Sequence, residues 1–435
     1  MPIGGFFGLA AYSMIGARLS ARFPGARYRM HQDRSVKNTL SLAARVGRIK
    51  PSPTLAVTAR AAELRAAGHD IIGLGAGEPD FDTPDHIKAA AIQAIQAGQT
   101  KYTAVDGTPA LKAAIINKFK RDNGLGFTPD QILVSCGGKQ SFYNLVMALL
   151  NPGDEVIIPA PYWVSYPDMV LLADGRPVEL PAGIEQHFKV TPAQLEAAIT
   201  PRTRLFVINS PSNPTGMAYT RAELAALGEV LRRHPHIVVA TDDMYEHILW
   251  AEEPFANILN VCPDLGPRTI VLNGVSKAYS MTGWRIGYAG GPAELIKAMK
   301  KVQSQSTSNP ASISQAAAQT ALDGDQGCIA VMLKAFKERH DYLVAALNEL
   351  PGVTCLPGDG TFYAFANVQG VIDRLPSVNN DVELAEKLIT EAGVALVPGS
   401  AFGAPGHLRL SFATSLQVLE EAIARLRKFL DTAGK

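Results

Sequence analysis

The sequence predicts an α/β fold in which a large domain, with a mostly parallel central sheet flanked by helices, is joined by a smaller α+β domain. Helical and strand patterns alternate along most of the chain, as they do in α/β proteins. Several strands are continuous apolar runs, which is typical of a parallel sheet covered on both faces. A chain of 435 residues is also too long for one hydrophobic core, so two domains are expected.

Local signals predict the individual elements. The first helix, over 56–67, is rich in Ala, Leu, Arg and Glu, and Gly68 follows it where a left-handed residue can end a helix. Further helices are predicted over 86–97, 109–120, 140–150 and 326–349. Strands are predicted over 70–74, 131–136, 155–158, 204–209, 237–241, 269–273, 352–355 and 361–365. The long helix and the last two strands indicate the smaller domain.

Composition excludes several classes of protein. A formal net charge of +1 and 19% charged residues give no basic footprint for nucleic acid. The apolar stretch over 3–15 is too short to span a bilayer. The four cysteines are scattered without metal-ligand spacing, which suits a reducing compartment. We therefore expect a cytoplasmic protein with neither a nucleic-acid nor a membrane partner.

The N-terminus fits the rest of the chain least well. Residues 1–32 contain four arginines and no acidic residue, and the basic residues follow the apolar stretch. This order is the reverse of a secretory signal, and the composition is similar to that of a transit peptide. We favour Met30 as the true start, and we expect residues 1–40 to be a disordered N-terminal extension.

The segment from Ser276 to Gly287 carries the strongest chemical signal. Lys277 lies eight residues before Arg285, at the end of an apolar run. A lysine amine can form a Schiff base with the aldehyde of pyridoxal phosphate, and the planar fork of an arginine can hold its phosphate. A solvated lysine is the alternative interpretation, but the whole segment favours a pyridoxal phosphate site.

This segment resembles the lysine signature of the fold-type I aminotransferases, and the similarity extends from about residue 50 to the C-terminus. The chain is most similar to the bacterial aspartate aminotransferase subgroup. Further motifs occur in the family's order, at 75–84, 101–103, 137–140, 161–163, 213–216, 242–246 and 409–413. The resemblance implies the fold of the type I pyridoxal-phosphate-dependent transferases. It implies a cofactor-binding large domain over 84–325 and a small domain built from 41–83 and 326–435.

Three residues are candidates for contacts with the cofactor ring. A carboxylate facing the pyridine nitrogen keeps it protonated, and Asp242 follows a predicted strand at the edge where ligands bind in open α/β sheets. Asp243 could instead be an ordinary turn residue, although the family's spacing to Tyr245 favours Asp242. The resemblance implies that Asn213 and Tyr245 donate hydrogen bonds to the phenolate oxygen of the ring.

The phosphate site is predicted where a strand ends and a helix begins. There the backbone amides and the positive end of the helix at Gly138, Lys139 and Gln140 can bind an anion. Arg285 would complete this site. The resemblance implies that Trp163 stacks on the ring, and Met244 either packs on the other face or fills the core.

The resemblance also implies contacts with substrate. Arg409 precedes a strand-like apolar run, and its guanidinium can bind an α-carboxylate through two parallel hydrogen bonds. The loop that contains Gly77 is expected to close over the substrate, and Trp163 and Asn213 are expected to contact it.

Two lysines are candidates for substrate choice. In related enzymes, a lysine at the position of Lys139 accompanies the use of dicarboxylates, and one at the position of Lys50 accompanies prephenate transamination. Each could instead be an ordinary solvated lysine. Gly274 departs from the pattern, because some distant aspartate aminotransferases have a phosphate-binding serine there.

Tyr102 matches a family position that reaches the phosphate in the neighbouring subunit, which implies a homodimer with shared active sites. The segment over 304–309 is also expected near that interface. No metal site is predicted.

We therefore predict ping-pong transamination between aspartate or glutamate and 2-oxoglutarate or oxaloacetate, with prephenate as a possible second acceptor and with Lys277 as both covalent anchor and general acid/base. An aromatic or alanine aminotransferase on the same fold would fail to use oxaloacetate. A pyridoxal-phosphate-dependent β-lyase would need no amino acceptor. A ligand-sensing domain of a transcription regulator would need a helix-turn-helix domain, which the first fifty or so residues do not resemble.

Overall fold

The computed structural model describes residues 40–433. The chain divides into a unit over 1–42 and a unit over 43–435, and the account below concerns the second. The predicted disordered extension over 1–40 lies, apart from Leu40, outside the described residues. Among the described helices, none is both long and apolar enough to cross a membrane.

The described chain folds into the following helices and strands. The helices are α1 (Ala44–Arg48), α2 (Pro53–Ala66), α3 (Asp85–Gln96), α4 (Pro109–Asn123), α5 (Gly138–Leu149), α6 (Ser165–Leu172), α7 (Pro192–Ala198), α8 (Arg221–Arg233), α9 (Ala293–Ser304), α10 (Ser312–Asp323), α11 (Gly327–Asn348), α12 (Gln369–Ile372), α13 (Asp381–Lys387) and α14 (Leu416–Ala433). The strands are β1 (Ile72–Gly73), β2 (Ile132–Ser135), β3 (Glu155–Ala160), β4 (Arg176–Pro181), β5 (Thr203–Asn209), β6 (Val238–Asp242), β7 (Thr269–Gly274), β8 (Gly287–Gly290), β9 (Thr354–Cys355), β10 (Tyr363–Asn367), β11 (Val394–Ala395), β12 (Val397–Pro398) and β13 (His407–Ser411).

A seven-stranded sheet in the order β2-β8-β7-β6-β5-β3-β4 forms the centre of the fold. Its strands are parallel except β8, which runs antiparallel to β2 and β7. Along β2 the side chains alternate between two cores. Ile132 and Val134 pack with helices α3, α4 and α10, whereas Leu133 packs with α5, α6 and α9. Because both faces are covered, the inner strands are largely apolar, whereas the edge strand β4 is partly exposed and includes Arg176 and Glu179. The predicted mostly parallel α/β sheet is confirmed.

A second, antiparallel sheet of four strands has the order β12-β13-β10-β9, and β1 pairs in parallel with β11. Residues of α11, α14, β10 and β13, including Phe336, Tyr363, Leu410 and Leu419, share one apolar cluster. The domain boundaries at residues 83 and 325 stay a prediction.

Several element boundaries differ from those predicted. The strand predicted over 70–74 covers only Ile72–Gly73. The helix predicted from residue 140 begins at Gly138, directly after Gly137, whose φ of +86° a residue with a side chain rarely adopts. The strand predicted over 237–241 includes Asp242 as its last residue, because Asp242 pairs with Leu272 in the ladder between β6 and β7. The Asp242 side chain is therefore fixed by the sheet.

Candidate active site

One cleft of about 420 Å³ brings most of the predicted site residues together. It lies at the carboxyl ends of β5, β6 and β7, as expected for an open parallel sheet. The predicted residues that line it are Gly77, Gly138, Lys139, Trp163, Asn213, Asp242, Tyr245, Lys277, Arg285 and Arg409. The predicted residues that do not line it are Lys50, Tyr102 and Gln140.

Lys277 follows β7 by three residues and extends its amine into the cleft. Its Nζ donates a hydrogen bond to the main-chain oxygen of Gly77 at 2.5 Å and lies 5.8 Å from the centre of the Tyr245 ring. Burial, together with the positive charge of Arg409, lowers the pKa of Lys277 to about 8. A substantial fraction of this amine is therefore neutral, and so nucleophilic and basic, near neutral pH.

Asp242 presents its carboxylate to the cleft from the end of β6. Its Oδ2 accepts a hydrogen bond from the Tyr166 hydroxyl at 2.5 Å, and its Oδ1 accepts one from the Met244 amide at 3.3 Å. Burial raises the pKa of Asp242, and these two donors and the Lys277 amine oppose that rise. Asp243 does not line the cleft. Its carboxylate accepts hydrogen bonds from Thr241 and Asn257, so the geometry favours Asp242 for contact with a ligand.

Tyr245 and Asn213 both line the cleft and are held by other polar groups. The Tyr245 and Tyr363 hydroxyls are 3.0 Å apart. The Asn213 side-chain oxygen accepts a hydrogen bond from Arg409, and the Asn213 main-chain amide donates one to Asn209 Oδ1. Because the oxygen of Asn213 is occupied by Arg409, its side-chain NH₂ group is oriented to donate.

At the other end of the cleft, helix α5 begins at Gly138. The first amides of a helix lack partners within it and attract anions. A Cβ at Gly138 would lie 2.5 Å from Met244 Cε, so a side chain there would displace the end of Met244. Arg285, with φ of +56°, lies at this end of the cleft and donates hydrogen bonds to the main-chain oxygens of Thr282 and Cys136. These donors make this end of the cleft suited to a phosphate.

Arg409 is 1% exposed, and its guanidinium is held from three directions. It donates to Asn213 Oδ1 at 2.9 Å and to the Gly75 main-chain oxygen at 2.8 Å, and it stacks on Tyr363 with 4.3 Å to the ring centre. Its Nε has no hydrogen-bond partner among the residues that the structure describes. Burial lowers the pKa of Arg409. Both of its hydrogen-bond acceptors are neutral, so this charge has a strong electrostatic preference for an anionic ligand.

Lys139 and Trp163 form the remaining side of the cleft. Lys139 Nζ lies 5.2 Å from the centre of the Trp163 ring, and burial and the nearby Arg285 lower the pKa of this lysine. Trp163 in turn packs edge-on against Tyr166, with ring centres 5.2 Å apart. The arrangement offers a second cation to a ligand whose first anionic group is bound at Arg409.

The three predicted residues outside the cleft have other contacts. Gln140 accepts a hydrogen bond from the Cys136 amide and donates one to Thr307. Lys50 is exposed, and its main-chain amide lies 3.3 Å from Asp168 Oδ1. Tyr102 is 92% exposed and lines a separate surface cavity with residues of 100–101 and 309–313.

Residues 69–426 match the family described as aminotransferase class I and II. The chain belongs to this family. It is 62% identical over 396 residues to the aspartate/prephenate aminotransferase of Nitrosomonas europaea, a match that covers 90% of this chain and 100% of the relative. It is 59% identical to the aspartate/prephenate aminotransferase of Cereibacter sphaeroides over 88% of this chain and 97% of the relative.

Solved structures of aspartate aminotransferases resemble this aminotransferase in fold as well as in sequence. The enzyme from Rhizobium meliloti has a TM-score of 0.87 and 50% identity, covering 90% of this chain and 99% of that chain. The enzyme from Thermus thermophilus, solved with maleate, has a TM-score of 0.84 and 44% identity, covering 89% of this chain and 99% of that chain. The predicted family, fold type and enzyme class are confirmed.

Sequence reasoning missed several residues that shape the site of this aminotransferase. Tyr166 donates a hydrogen bond to Asp242, and Tyr363 stacks on Arg409. Asn209 donates to the main-chain oxygen of Asp242 and accepts from the main-chain amide of Asn213. Ser276, adjacent to Lys277, also lines the cleft. The only available signal was position, because Tyr166 lies three residues after Trp163 and Ser276 directly precedes the lysine.

The structure explains why a glycine occupies position 274 in this aminotransferase. A Cβ there would lie 3.0 Å from the Ile286 main-chain oxygen and 3.1 Å from Met244 Cε. A serine at this point of β7 would therefore require the neighbouring backbone to shift by a few tenths of an ångström. Ser276, two residues on, is the serine of this segment that lines the cleft.

Proposed function

We propose that this aminotransferase exchanges the amino group between aspartate or glutamate and 2-oxoglutarate or oxaloacetate, with prephenate as a further acceptor. The observation that carries the proposal is the buried Arg409 guanidinium, bound only to neutral acceptors, in the same cleft as the Lys277 amine. The Arg409 guanidinium can bind a carboxylate, and the Lys277 amine can attach a cofactor covalently and transfer a proton.

The residues of the cleft fit pyridoxal phosphate. Lys277 would hold it covalently, Asp242 would face its ring nitrogen, and Asn213 and Tyr245 would donate to its phenolate oxygen. The fit is supported by the glycine at the start of α5, which leaves room beside Met244 without displacing its side chain.

The phosphate of the cofactor would be held by the positive end of the cleft. The groups proposed for this role are the main-chain amides of Gly138, Lys139 and Gln140 and the Arg285 guanidinium, with Trp163 packed on the ring. Gln140 supports the proposal least directly, because its side chain bonds Cys136 and Thr307. It would act by holding the loop that ends at α5.

Bound pyridoxal phosphate supplies an electron sink that makes the α-proton of an amino acid removable. Lys277 Nζ takes that proton as general base and later releases it as general acid, which its pKa of about 8 allows near neutral pH. Asp242, whose carboxylate accepts a hydrogen bond from the Tyr166 hydroxyl, would when ionised favour a protonated ring nitrogen. The first product leaves as a 2-oxo acid before the second 2-oxo acid binds.

Substrate choice follows from the two cations of the cleft. Arg409 would bind the α-carboxylate common to all these substrates, and Lys139 would bind the side-chain carboxylate of aspartate or glutamate. The relatives named aspartate/prephenate aminotransferase and the Thermus enzyme solved with maleate, a dicarboxylate, support this assignment. Gly77 would close over the substrate, and Lys50 would contribute to prephenate use.

We further propose a homodimer with shared active sites, in which Tyr102 reaches the cofactor phosphate of the partner subunit. Its 92% exposure leaves the phenol free for such a contact. Residues 41–83 and 326–435 would form the small domain that closes over 84–325. The four cysteines are free, which supports a cytoplasmic location.

Single half-reactions test the function. Protein loaded with pyridoxal phosphate is mixed with aspartate, glutamate, alanine or phenylalanine, and then with oxaloacetate, 2-oxoglutarate or prephenate, while visible absorbance is followed. Aspartate and glutamate should convert the cofactor fastest, and each of the 2-oxo acids should restore it. Lys277→Ala should abolish both steps. Failure of every amino acid to convert the cofactor would exclude transamination, and pyruvate release without an acceptor would indicate a β-lyase.

A further inference from the structure

A buried ion pair lies behind the cleft, between helix α4 and the turn that follows β6. Lys118, which is 1% exposed, donates to Glu246 Oε1 and, at 2.8 Å, to Asn123 Oδ1. Asn123 Nδ2 donates to Glu246 Oε2 at 2.6 Å. Both carboxylate oxygens of Glu246 are therefore held from α4.

The same carboxylate also binds β7. Asn273 Nδ2 donates to Glu246 Oε1 at 2.8 Å, and Asn273 Oδ1 accepts from the Gly274 amide at 2.7 Å. Gly274 ends β7 and precedes Lys277 by three residues. Glu246 is thus connected, through one side chain, to the backbone that carries the reactive lysine.

This connection continues the sheet beyond its last ladder pair. Pairing between β6 and β7 ends at Asp242 and Leu272, and the Asp243 amide then donates to the Leu272 oxygen at 2.9 Å. Beyond these pairs, the hydrogen bond from Asn273 to Glu246 is a further contact between the two segments. The end of β6 and the turn after it carry Asp242 and Tyr245, and the segment after β7 carries Lys277. The bond therefore joins the two segments whose side chains must meet the same ligand.

The charges favour a fixed structure rather than a bound metal ion. Burial would raise the pKa of Glu246, but the Lys118 ammonium, His247 and the Asn123 hydrogen bond outweigh burial and lower it. Asp122 and His247 are also close, with His247 Nε2 3.4 Å from Asp122 Oδ2 and from Glu246 Oε1. Carboxylates and a histidine can bind a metal, yet the Lys118 ammonium already neutralises Glu246 and would repel a cation.

We propose that Lys118, Glu246 and Asn273 are positioning residues for the transamination reaction, holding the segment of Lys277 in register with the turn of Asp242 and Tyr245. The proposal rests on the proposed function, because it concerns the placement of the same lysine. None of the three lines the cleft, so they act through the backbone and through buried hydrogen bonds. Small errors in such placement reduce turnover more than they reduce binding.

Two variants and one matched control test the network. Asn273→Ala removes the link to β7 but leaves the ion pair with Lys118. Glu246→Gln keeps the shape of the side chain but removes its charge. The control is Glu155→Gln. Glu155 is 2% exposed and is bound by Arg202 at 2.8 Å and Thr200 at 2.6 Å, at the start of β3, so this change removes a buried charge away from the cleft.

Three measurements are made on each protein. The first is hydrogen exchange of the amides of 272–277 in the cofactor-free protein. The second is the pH titration of visible absorbance after the protein is loaded with pyridoxal phosphate. The third is the separate determination of kcat and KM for aspartate. Asn273→Ala and Glu246→Gln should speed exchange at 274–277, shift the absorbance titration and lower kcat roughly 10- to 100-fold, with a smaller change in KM. Glu155→Gln should lower the thermal midpoint but change none of these.

The proposal is overturned if Asn273→Ala and Glu246→Gln both behave like Glu155→Gln. In that case the thermal midpoint falls, but hydrogen exchange at 274–277, the absorbance titration and kcat are unchanged. Failure of the proposed function gives a different result. In that case the unchanged protein shows no half-reaction with any amino acid. The exchange measurement on the cofactor-free protein still decides whether the network holds the Lys277 segment.

Discussion

The Tyr166 hydroxyl donates a hydrogen bond to Asp242 Oδ2 at 2.5 Å. Tyr166 is 1% exposed and packs against Trp163 and Phe142, with ring centres 5.2 Å and 4.8 Å away. One buried side chain therefore orients both the carboxylate proposed to face the ring nitrogen and the indole proposed to pack on the ring. The hydroxyl also opposes the burial that raises the pKa of Asp242.

Tyr166→Phe should lower kcat for aspartate roughly 10- to 100-fold, because a hydrogen bond to a charged group is worth about 1.5–3 kcal/mol. Without this donor the pKa of Asp242 rises further. Since the carboxylate acts only when ionised, the acid limb of the activity profile should move to higher pH. Tyr143→Phe, which removes a hydroxyl from a partly buried tyrosine of α5, is the control. An unchanged pH profile in Tyr166→Phe would contradict the role.

The lowered pKa of Lys277 predicts how pH controls cofactor capture. Only the neutral amine attacks an aldehyde, and it predominates above its pKa. The rate at which cofactor-free protein captures pyridoxal phosphate should therefore rise with pH through a midpoint near 8, below the value of an ordinary lysine. Stopped-flow absorbance measures this rate, with Lys277→Ala as the blank. A midpoint above pH 10 would refute the effect of burial.

Arg409→Lys should lower kcat/KM for aspartate roughly 10- to 100-fold, since hydrogen bonds to charged groups are worth about 1.5–3 kcal/mol and lysine cannot form two parallel bonds. It would also lose the stacking on Tyr363. The loss should be similar for alanine, because both substrates share the α-carboxylate. Arg425→Lys, at the ion pair with Asp70 on the surface, is the control for replacing an arginine by a lysine. Equal kinetics for the two variants would argue against carboxylate binding at Arg409.

Lys139→Met should change selectivity rather than general activity. The variant removes the second cation of the cleft, so kcat/KM should fall more for aspartate and glutamate than for alanine or phenylalanine. We expect a difference of roughly tenfold, the effect of about 1.4 kcal/mol. Half-reaction rates with the four amino acids provide the measurement. Lys120→Met, at an exposed position of α4, is the control, and an equal loss for all four amino acids would contradict a side-chain role.

Shared active sites predict complementation between two defective proteins. Tyr102→Ala should lose cofactor more readily, and Lys277→Ala should be inactive. If Tyr102 serves the partner's site, a mixed dimer has one site with neither defect, and activity should appear after the two proteins are mixed and allowed to exchange subunits. The double variant Tyr102→Ala, Lys277→Ala mixed with Lys277→Ala is the control. No gain on mixing, with subunit exchange verified, would place Tyr102 outside the partner's site.

Much of the fold could be predicted because burial leaves a direct mark on sequence. The inner strands of the central sheet are covered on both faces, so they are largely apolar runs that one sequence reveals. The edge strand β4 is partly exposed, carries no such run and was not predicted. Boundaries were less accurate where pairing decides them. Asp242 lies inside β6 because Leu272 pairs with it, and polarity had suggested that the strand ends one residue earlier.

The sequence by itself determined the family, through the lysine and arginine of 276–287 and the motifs that accompany them, because a reaction demands particular residue types at particular spacings. Only the tertiary structure decided which polar residues support that chemistry. Tyr166 meets Asp242 across 76 residues, Asn213 meets Arg409 across 196, and Lys118 meets Glu246 across 128. Such contacts depend on how distant segments pack, and neither composition nor local periodicity records them.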